Sequence, residues 1–329
     1  MHTPYAPHAA LIRAFAITAC SLCLIVVVLG AYVRLSDAGL GCPDWPGCYG
    51  HFSPIGAEHS GQAMDAGKAW REMLHRYAAG TLGLLIVCLA AMTLAWRRER
   101  IAPLRLTLAL PAIVIIQGLF GMLTVTWRLK PLIVTLHLLF GLSTLSLLWW
   151  LVLELARRRG GYWSHGAGLQ GGRLAVIRAL ALLALLALAA QIALGGWTSS
   201  NYAALACPDL PTCRGSWWPR ADFRSGYRLW RDIEAQGLVA IHLLHRLGAM
   251  VASVVLATAA IAALAARAQG LARRAALLVL ALLCLQLTIG MTMVLRGFPL
   301  WLATAHNAGA ALLLLATLAL NSSLRPAKP

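Results

Sequence analysis

Charge is what this sequence has least of: 12% of its 329 residues are Asp, Glu, Lys or Arg. A soluble domain carries about twice that share, roughly 25%. A soluble globular protein is therefore excluded. Acids are scarcer than bases, 11 against 28. Aromatic residues make up only 8%, and the segments between apolar runs are modest, which leaves little room for a separate soluble domain. The first apolar run has no small-residue cleavage pattern before Arg34 and is too long for a signal peptide. What the chain has in place of charge is apolar side chains, 60% of the total, with a mean hydropathy of +0.73. It reads as a polytopic membrane protein.

A bilayer-spanning helix takes about 20 apolar residues. Eight stretches meet that length: 11–33, 73–96, 104–126, 132–155, 174–197, 239–266, 272–295 and 300–321. With the N-terminus inside, the cytoplasmic segments hold Arg13, Arg97, Arg98, Arg100, Arg105, Arg157, Arg158, Arg159, Arg173, Arg178, Arg267, Arg273, Arg274, Arg325 and Lys328. Only Glu99 and Glu154 oppose them there; the other nine acids fall outside. Short basic inner loops fit the positive-inside rule. The net charge of +17 is then a matter of topology, and nucleic acid is not an expected partner. The expected fold is all-α, with both termini cytoplasmic.

Four histidines organise these helices: His75, His137, His245 and His306. They form two pairs, 62 and 61 residues apart, and the pairs repeat at an offset of about 170 residues. Gly121 precedes His137 by 16 residues, and Gly290 precedes His306 by the same number. Any one of them could be a packing residue. Four at repeated positions point to two sites built alike, since a histidine inside an apolar span is costly. Imidazole is a common axial ligand of haem iron, and bundles build such sites from facing helices. All four lie near the outer ends of helices 2, 4, 6 and 8. The simplest arrangement is one bis-histidine haem per half. The chain is thus expected to be two duplicated four-helix bundles, 1–156 and 174–329, joined by a cytoplasmic linker at 157–173.

Two outer loops repeat a second motif. Cys42-Pro43-Asp44-Trp45-Pro46-Gly47-Cys48 and Cys207-Pro208-Asp209-Leu210-Pro211-Thr212-Cys213 are both C-P-D-x-P-x-C. Two prolines stiffen each loop, and the outer compartment permits disulfides. Pairing of Cys42 with Cys48 and of Cys207 with Cys213 is expected; free thiols or a cycling dithiol are the alternatives. The spacing does not suit zinc. Cys20, Cys23, Cys88 and Cys284 read as apolar fillers. His2, His8, His51, His59 and His165 read as solvated.

Glu72 lies three residues before His75, on the same helix face. Its counterpart in the second half is His242. Arg76 and Arg246 directly follow two of the ligands and are candidates for haem propionates, with snorkelling or pairing to a loop acid as the alternative. Arg34, Arg128, Lys130 and Arg296 are weaker candidates of the same kind.

These features together resemble the haem A synthase family. The resemblance covers nearly the whole chain. It is most specific in Val33-Arg34-Leu35-Ser36, Gly39-Leu40-Gly41-Cys42-Pro43-Asp44-Trp45-Pro46 and Glu72-x-x-His75-Arg76. It implies an oxidoreductase that turns a porphyrin methyl group of haem O into the formyl group of haem A, for terminal oxidases. It implies His75 and His137 as ligands of the haem O iron, His245 and His306 as ligands of a haem b cofactor, and Glu72 as the catalytic carboxylate. Family members without the loop cysteines argue against an obligatory chemical role for them. Iron held by two histidines has no open position for oxygen, so such sites move electrons; oxidation at the ring edge then needs a nearby base and water. The implied setting is the bacterial inner membrane. Haem O synthase and oxidase assembly factors are possible partners, and the electron acceptor is not implied. A dihaem cytochrome b-type relay would use the same four ligands but gives no reason for the contrast of Glu72 with His242. A thiol–disulfide oxidoreductase gives no reason for the histidines.

Overall fold

A computed structural model describes residues 7–56, 64–158, 168–229 and 233–325. His2, His59, Arg159, His165 and Lys328 lie outside the described residues. The described chain forms eight long helices: α1 (Pro7–Leu35), α2 (Ala66–Ala95), α3 (Leu104–Thr126), α4 (Pro131–Arg158), α5 (Gly171–Ser200), α6 (Ala235–Ala265), α7 (Gly270–Leu295) and α8 (Leu300–Ser323). All eight are long and apolar enough to cross a membrane. The shortest has 23 residues, which at about 1.5 Å per residue clears a hydrocarbon core of about 30 Å. The chain is an all-α integral membrane protein.

Two helices begin earlier than hydropathy indicates. α2 starts at Ala66 and α6 at Ala235, before the apolar runs at 73 and 239. Their first turns carry Lys68, Arg71, Glu72 and Gln236, which lower hydropathy without disfavouring helix. Asp65 caps α2 by accepting from the Lys68 N–H at 2.9 Å, which satisfies one of the orphan donors of a helix start.

Packing divides the residues into two compact units. One comprises Met1–Arg128 and Phe140–His165; the other comprises Leu129–Leu139 and Gly166–Pro329. The division falls inside α4 and groups His137 with the second unit. In the first unit α1 lies along α2, and α2 along α3. In the second, α5 packs on α6, α6 on α7, α7 on α8, and α8 returns to α5. Small residues make these contacts: Ala259, Ala260, Ala263, Ala272, Ala275, Ala276 and Ala311 are all buried. Between membrane helices there is no hydrophobic drive, and small residues let backbones approach closely. His8 is not simply solvated. Its ring stacks on Trp96 at 4.0 Å, and Nδ1 meets Glu99 at 2.8 Å.

Candidate functional site

Three of the four histidine rings rest against a glycine of a neighbouring helix. A Cβ on Gly30 of α1 would stand 2.8 Å from Cε1 of His75 on α2. One on Gly195 of α5 would stand 3.1 Å from Cε1 of His245 on α6, and one on Gly290 of α7 3.0 Å from Cε1 of His306 on α8. The glycine in each pair is the notch that lets the Cε1 edge of the ring come close to the next helix. The Nδ1 atom of His306 is buried without a hydrogen-bond partner. Buried polar atoms are nearly always paired, so an orphaned imidazole nitrogen suits a ligand that the ring itself would bind.

Of the histidines in the second unit, His245 and His306 lie within electrostatic reach of each other. Gln191 Nε2 lies 3.0 Å from Nδ1 of His245 and donates to the carbonyl of the same residue, also at 3.0 Å. Gln286 Nε2 donates to the carbonyl of His306 at 3.0 Å. Ligand histidines are commonly oriented by such outer partners. Paired imidazoles, a glycine notch beside each and an amide holding each backbone fit a site in which His245 and His306 would hold a haem iron.

Above the ligands, two turns of α2 carry the first loop. Glu72, only 4% exposed, accepts from the Cys42 backbone N–H through Oε2 at 2.9 Å and pairs through Oε1 with Nη2 of Arg76 at 2.5 Å. Nη1 of Arg76 donates to the carbonyls of Asp44 at 2.8 Å and Pro46 at 3.3 Å, and also to that of Gly47. Arg246 of α6 repeats this against the second loop. Its Nη1 donates to Thr212 at 2.8 Å, and its Nη2 to Cys207 at 2.8 Å and Asp209 at 3.0 Å. Its Nε donates to Nε2 of the buried His242 at 3.2 Å. The two arginines therefore hold the loops onto the ligand helices. Arg34 lies in the last turn of α1, and Arg296 closes α7.

The loops are built alike. Cys42 is bonded to Cys48 and Cys207 to Cys213, each pair six residues apart. Trp45–Pro46 and Leu210–Pro211 are both cis. After each second cysteine the chain reverses through two residues of positive φ, Tyr49 and Gly50 in one loop, Arg214 and Gly215 in the other. Such a turn suits glycine at its second position. Asp44 accepts the Tyr49 N–H at 2.6 Å and the Gly50 N–H at 2.9 Å. Asp209 accepts those of Arg214 at 2.6 Å and Gly215 at 2.9 Å, and also the Thr212 hydroxyl. The Thr212 hydroxyl first, then the Gly215 and Arg214 amides, hold the Asp209 carboxyl down at about 2. Cys20 and Cys23 are free and buried, and Cys88 and Cys284 are also free; His51 pairs with Cys48 through the backbone.

Sequence reasoning passed over Gln191, Gln286 and the two loop aspartates as site residues. The glutamines carried a signal. Each is an amide inside an apolar span, which is costly without a role, and each stands four residues before a notch glycine.

Comparison with known proteins places these residues in a family. Residues 13–318, which contain all four histidines and Glu72, match the model of the COX15-CtaA family, cytochrome oxidase assembly protein. The chain is 39% identical over 317 residues to the heme A synthase of Shewanella oneidensis, covering 91% of this chain and 92% of that protein. It is 26% identical over 337 residues to the heme A synthase of Nitrosospira multiformis, with coverage of 93% and 91%. With the heme A synthase of Shouchella clausii it shares 28% over 241 residues, 71% and 69% of the two chains.

Proposed function

The chain belongs to the COX15-CtaA family of cytochrome oxidase assembly proteins, and from that premise we propose that it is a haem A synthase, an oxidoreductase that converts haem O into haem A. The observation that carries this is the 39% identity to a heme A synthase across nine-tenths of both chains, with the four histidines inside the matched region. The relatives named above all bear that name, so the cytochrome b-type reading of the same ligands is not favoured.

In this reading His245 and His306 hold haem b, and His75 and His137 take the iron of the substrate haem O. The duplicated halves, 1–156 and 174–329 about the linker 157–173, are part of the same reading. Haem b, when bound, supplies a one-electron relay. Oxidising a methyl group to a formyl group takes its oxygen from water and releases four electrons and four protons. Glu72 is the carboxylate that accepts protons next to the substrate. Arg76, through Oε1, and the Cys42 N–H, through Oε2, fix its direction. Arg76 and Arg246 are the propionate partners, sharing their donors with the loop carbonyls they hold. The membrane is the bacterial inner membrane with both termini cytoplasmic. Haem O synthase is the supplier of substrate.

The test is to express the chain with and without a haem O source and extract the pigments. Haem A that forms only with the source supports the reading. A chain that binds haem b alone and converts nothing would leave an electron-transfer protein.

A further inference from the structure

The histidine sites are not equally built. Three odd-numbered helices carry a glutamine one turn before the glycine: Gln117-x3-Gly121 in α3, Gln191-x3-Gly195 in α5 and Gln286-x3-Gly290 in α7. α1 carries Val26-x3-Gly30 in the same register.

The second unit shows what the glutamine does. The amides of Gln191 and Gln286 donate to the backbone carbonyls of His245 and His306, both at 3.0 Å. To reach them, each amide lies over the ligand helix three residues past the histidine. That position is Gly248 in α6 and Gly309 in α8. A Cβ on Gly248 would collide with Oε1 of Gln191, and one on Gly309 with Oε1 of Gln286. Amide and glycine are two parts of one lock, and neither works without the other. In α3 Gln117 is also against a glycine, but in another register: its Nε2 would stand 3.1 Å from a Cβ on Gly141, four residues past His137, with Phe140 at position three.

Around His75 both parts are replaced. Val26 stands where the glutamine should be, and Ala78 where the glycine should be. The valine side chain has no N–H to donate, and Ala78 fills the space an amide would need. The rest of the arrangement is kept: Gly30 lies against the His75 ring, and the backbone carbonyl of Val26 faces that ring. Both parts are present in register around His245 and His306 and both are missing around His75, which marks the His75 site as built differently.

We infer that His75 is the exchangeable axial ligand of this protein, the histidine that releases its haem, and that Gln191 and Gln286 are positioning residues that make His245 and His306 retain theirs. This rests on the haem O and haem b reading and deepens it. An enzyme whose substrate and product are both haems must let one haem in and out while keeping the other. A buried amide-to-carbonyl hydrogen bond in low dielectric fixes the helix segment that carries the ligand. Without that bond the segment around His75 would yield more readily as a haem held there leaves.

The experiment is haem transfer to excess apomyoglobin from the full chain in detergent, loaded with haem O and haem b and followed by absorbance. Wild-type protein should release haem O in a fast phase and haem b in a slow one. The double variant Val26→Gln/Ala78→Gly should slow the haem O phase by about fivefold, the worth of one net hydrogen bond, with the haem b phase unchanged. Gln286→Leu should speed the haem b phase by a similar factor and shift its low-spin electron-resonance signal, with the haem O phase unchanged. Gln191→Leu asks the second question again if Gln286→Leu does not fold, and Gly248→Ala, which would displace the Gln191 amide, asks it from the glycine side. An unaltered haem O phase in the variant that supplies the amide, or an unaltered haem b phase in those that remove it, overturns the inference. A wild-type chain that takes up no haem overturns the functional reading itself. One that binds both haems and releases them at equal rates overturns only the exchange of His75.

Discussion

Oε2 of Glu72 accepts the backbone N–H of Cys42 at 2.9 Å, so one carboxylate joins the ligand helix α2 to the first disulfide loop. Its other oxygen faces Arg76, which in turn holds three carbonyls of that loop. The second unit has no carboxylate at this place. His242 stands there and meets Arg246, and Arg246 ties the disulfide loop to α6 through three of its carbonyls. A loop can thus be fastened without a carboxylate, and fastening alone does not account for Glu72.

Glu72→Gln separates the two roles. Glutamine keeps an oxygen for the Cys42 N–H but loses the charge facing Arg76 and cannot take a proton. The expected cost in stability is about 1–3 kcal/mol, the difference a charged partner makes to a buried hydrogen bond. Pigment analysis should show haem b retained, haem O or a partly oxidised product accumulating, and little haem A. Near-normal haem A from this variant would leave Glu72 only a structural role.

Asp209 supplies a pH test at the second loop. Its carboxyl titrates at about 2, below the usual 3.8, because the Thr212 hydroxyl and the Gly215 and Arg214 amides favour the charged form. A depressed folded pKa means that the contribution is complete above the unfolded value and lost as pH falls through the folded one. Exchange protection of the Arg214 and Gly215 amides should therefore be level from pH 7 to about 4 and fall between about 4 and 2. In Asp209→Asn the protection should be low throughout and the step absent. A step centred near neutral pH would assign the protection to another group.

The histidines divide by site. His245→Ala or His306→Ala should abolish the low-spin b-type spectrum. His75→Ala or His137→Ala should leave most of that spectrum and stop formation of haem A. Optical spectra of the purified variants, with pigment extraction, decide this. Loss of the resident haem from the His75 variant together with its retention in the His306 variant would reverse the assignment of the pairs.

Much of this was legible in the sequence because membrane helices obey few rules. Lipid forces every backbone group into a helix, so apolar runs alone locate the eight spans. Histidine and cysteine stand out against that background, and their repeats were plain in the spacing of His75, His137, His245 and His306. Helix starts at Ala66 and Ala235 were not legible, because hydropathy falls where the polar first turns begin. Nor was the engagement of Arg76 and Arg246 with loop carbonyls. Those partners lie 29 to 39 residues away, and no local pattern ties a guanidinium to a distant main-chain oxygen. The glutamines were visible as letters, but their use depended on which helix each one faced.

The glycine notches give the sharpest comparison of local propensity with site geometry. In a helix interior, alanine is favoured over glycine by about 0.5–1 kcal/mol. Gly80 of α2 has nothing within 4 Å of where a Cβ would sit. Gly80→Ala should then raise the unfolding midpoint and leave haem content unchanged. Gly290→Ala gains the same propensity, but its methyl would stand 3.0 Å from Cε1 of His306, tighter than an ordinary contact. Apart from the neighbouring backbone, the ring is what can give way, and a tilted ring would hold a haem iron less well. The expected result is a folded protein, as helical as the parent, that retains much less haem b. Gly30→Ala should act likewise on the substrate side, with a closer approach of 2.8 Å to His75, and lower haem A formation while sparing the b-type spectrum. Circular dichroism beside the haem-to-protein absorbance ratio reads both quantities from one sample. Full haem retention in Gly290→Ala would mean that the ring does not need its close approach to α7.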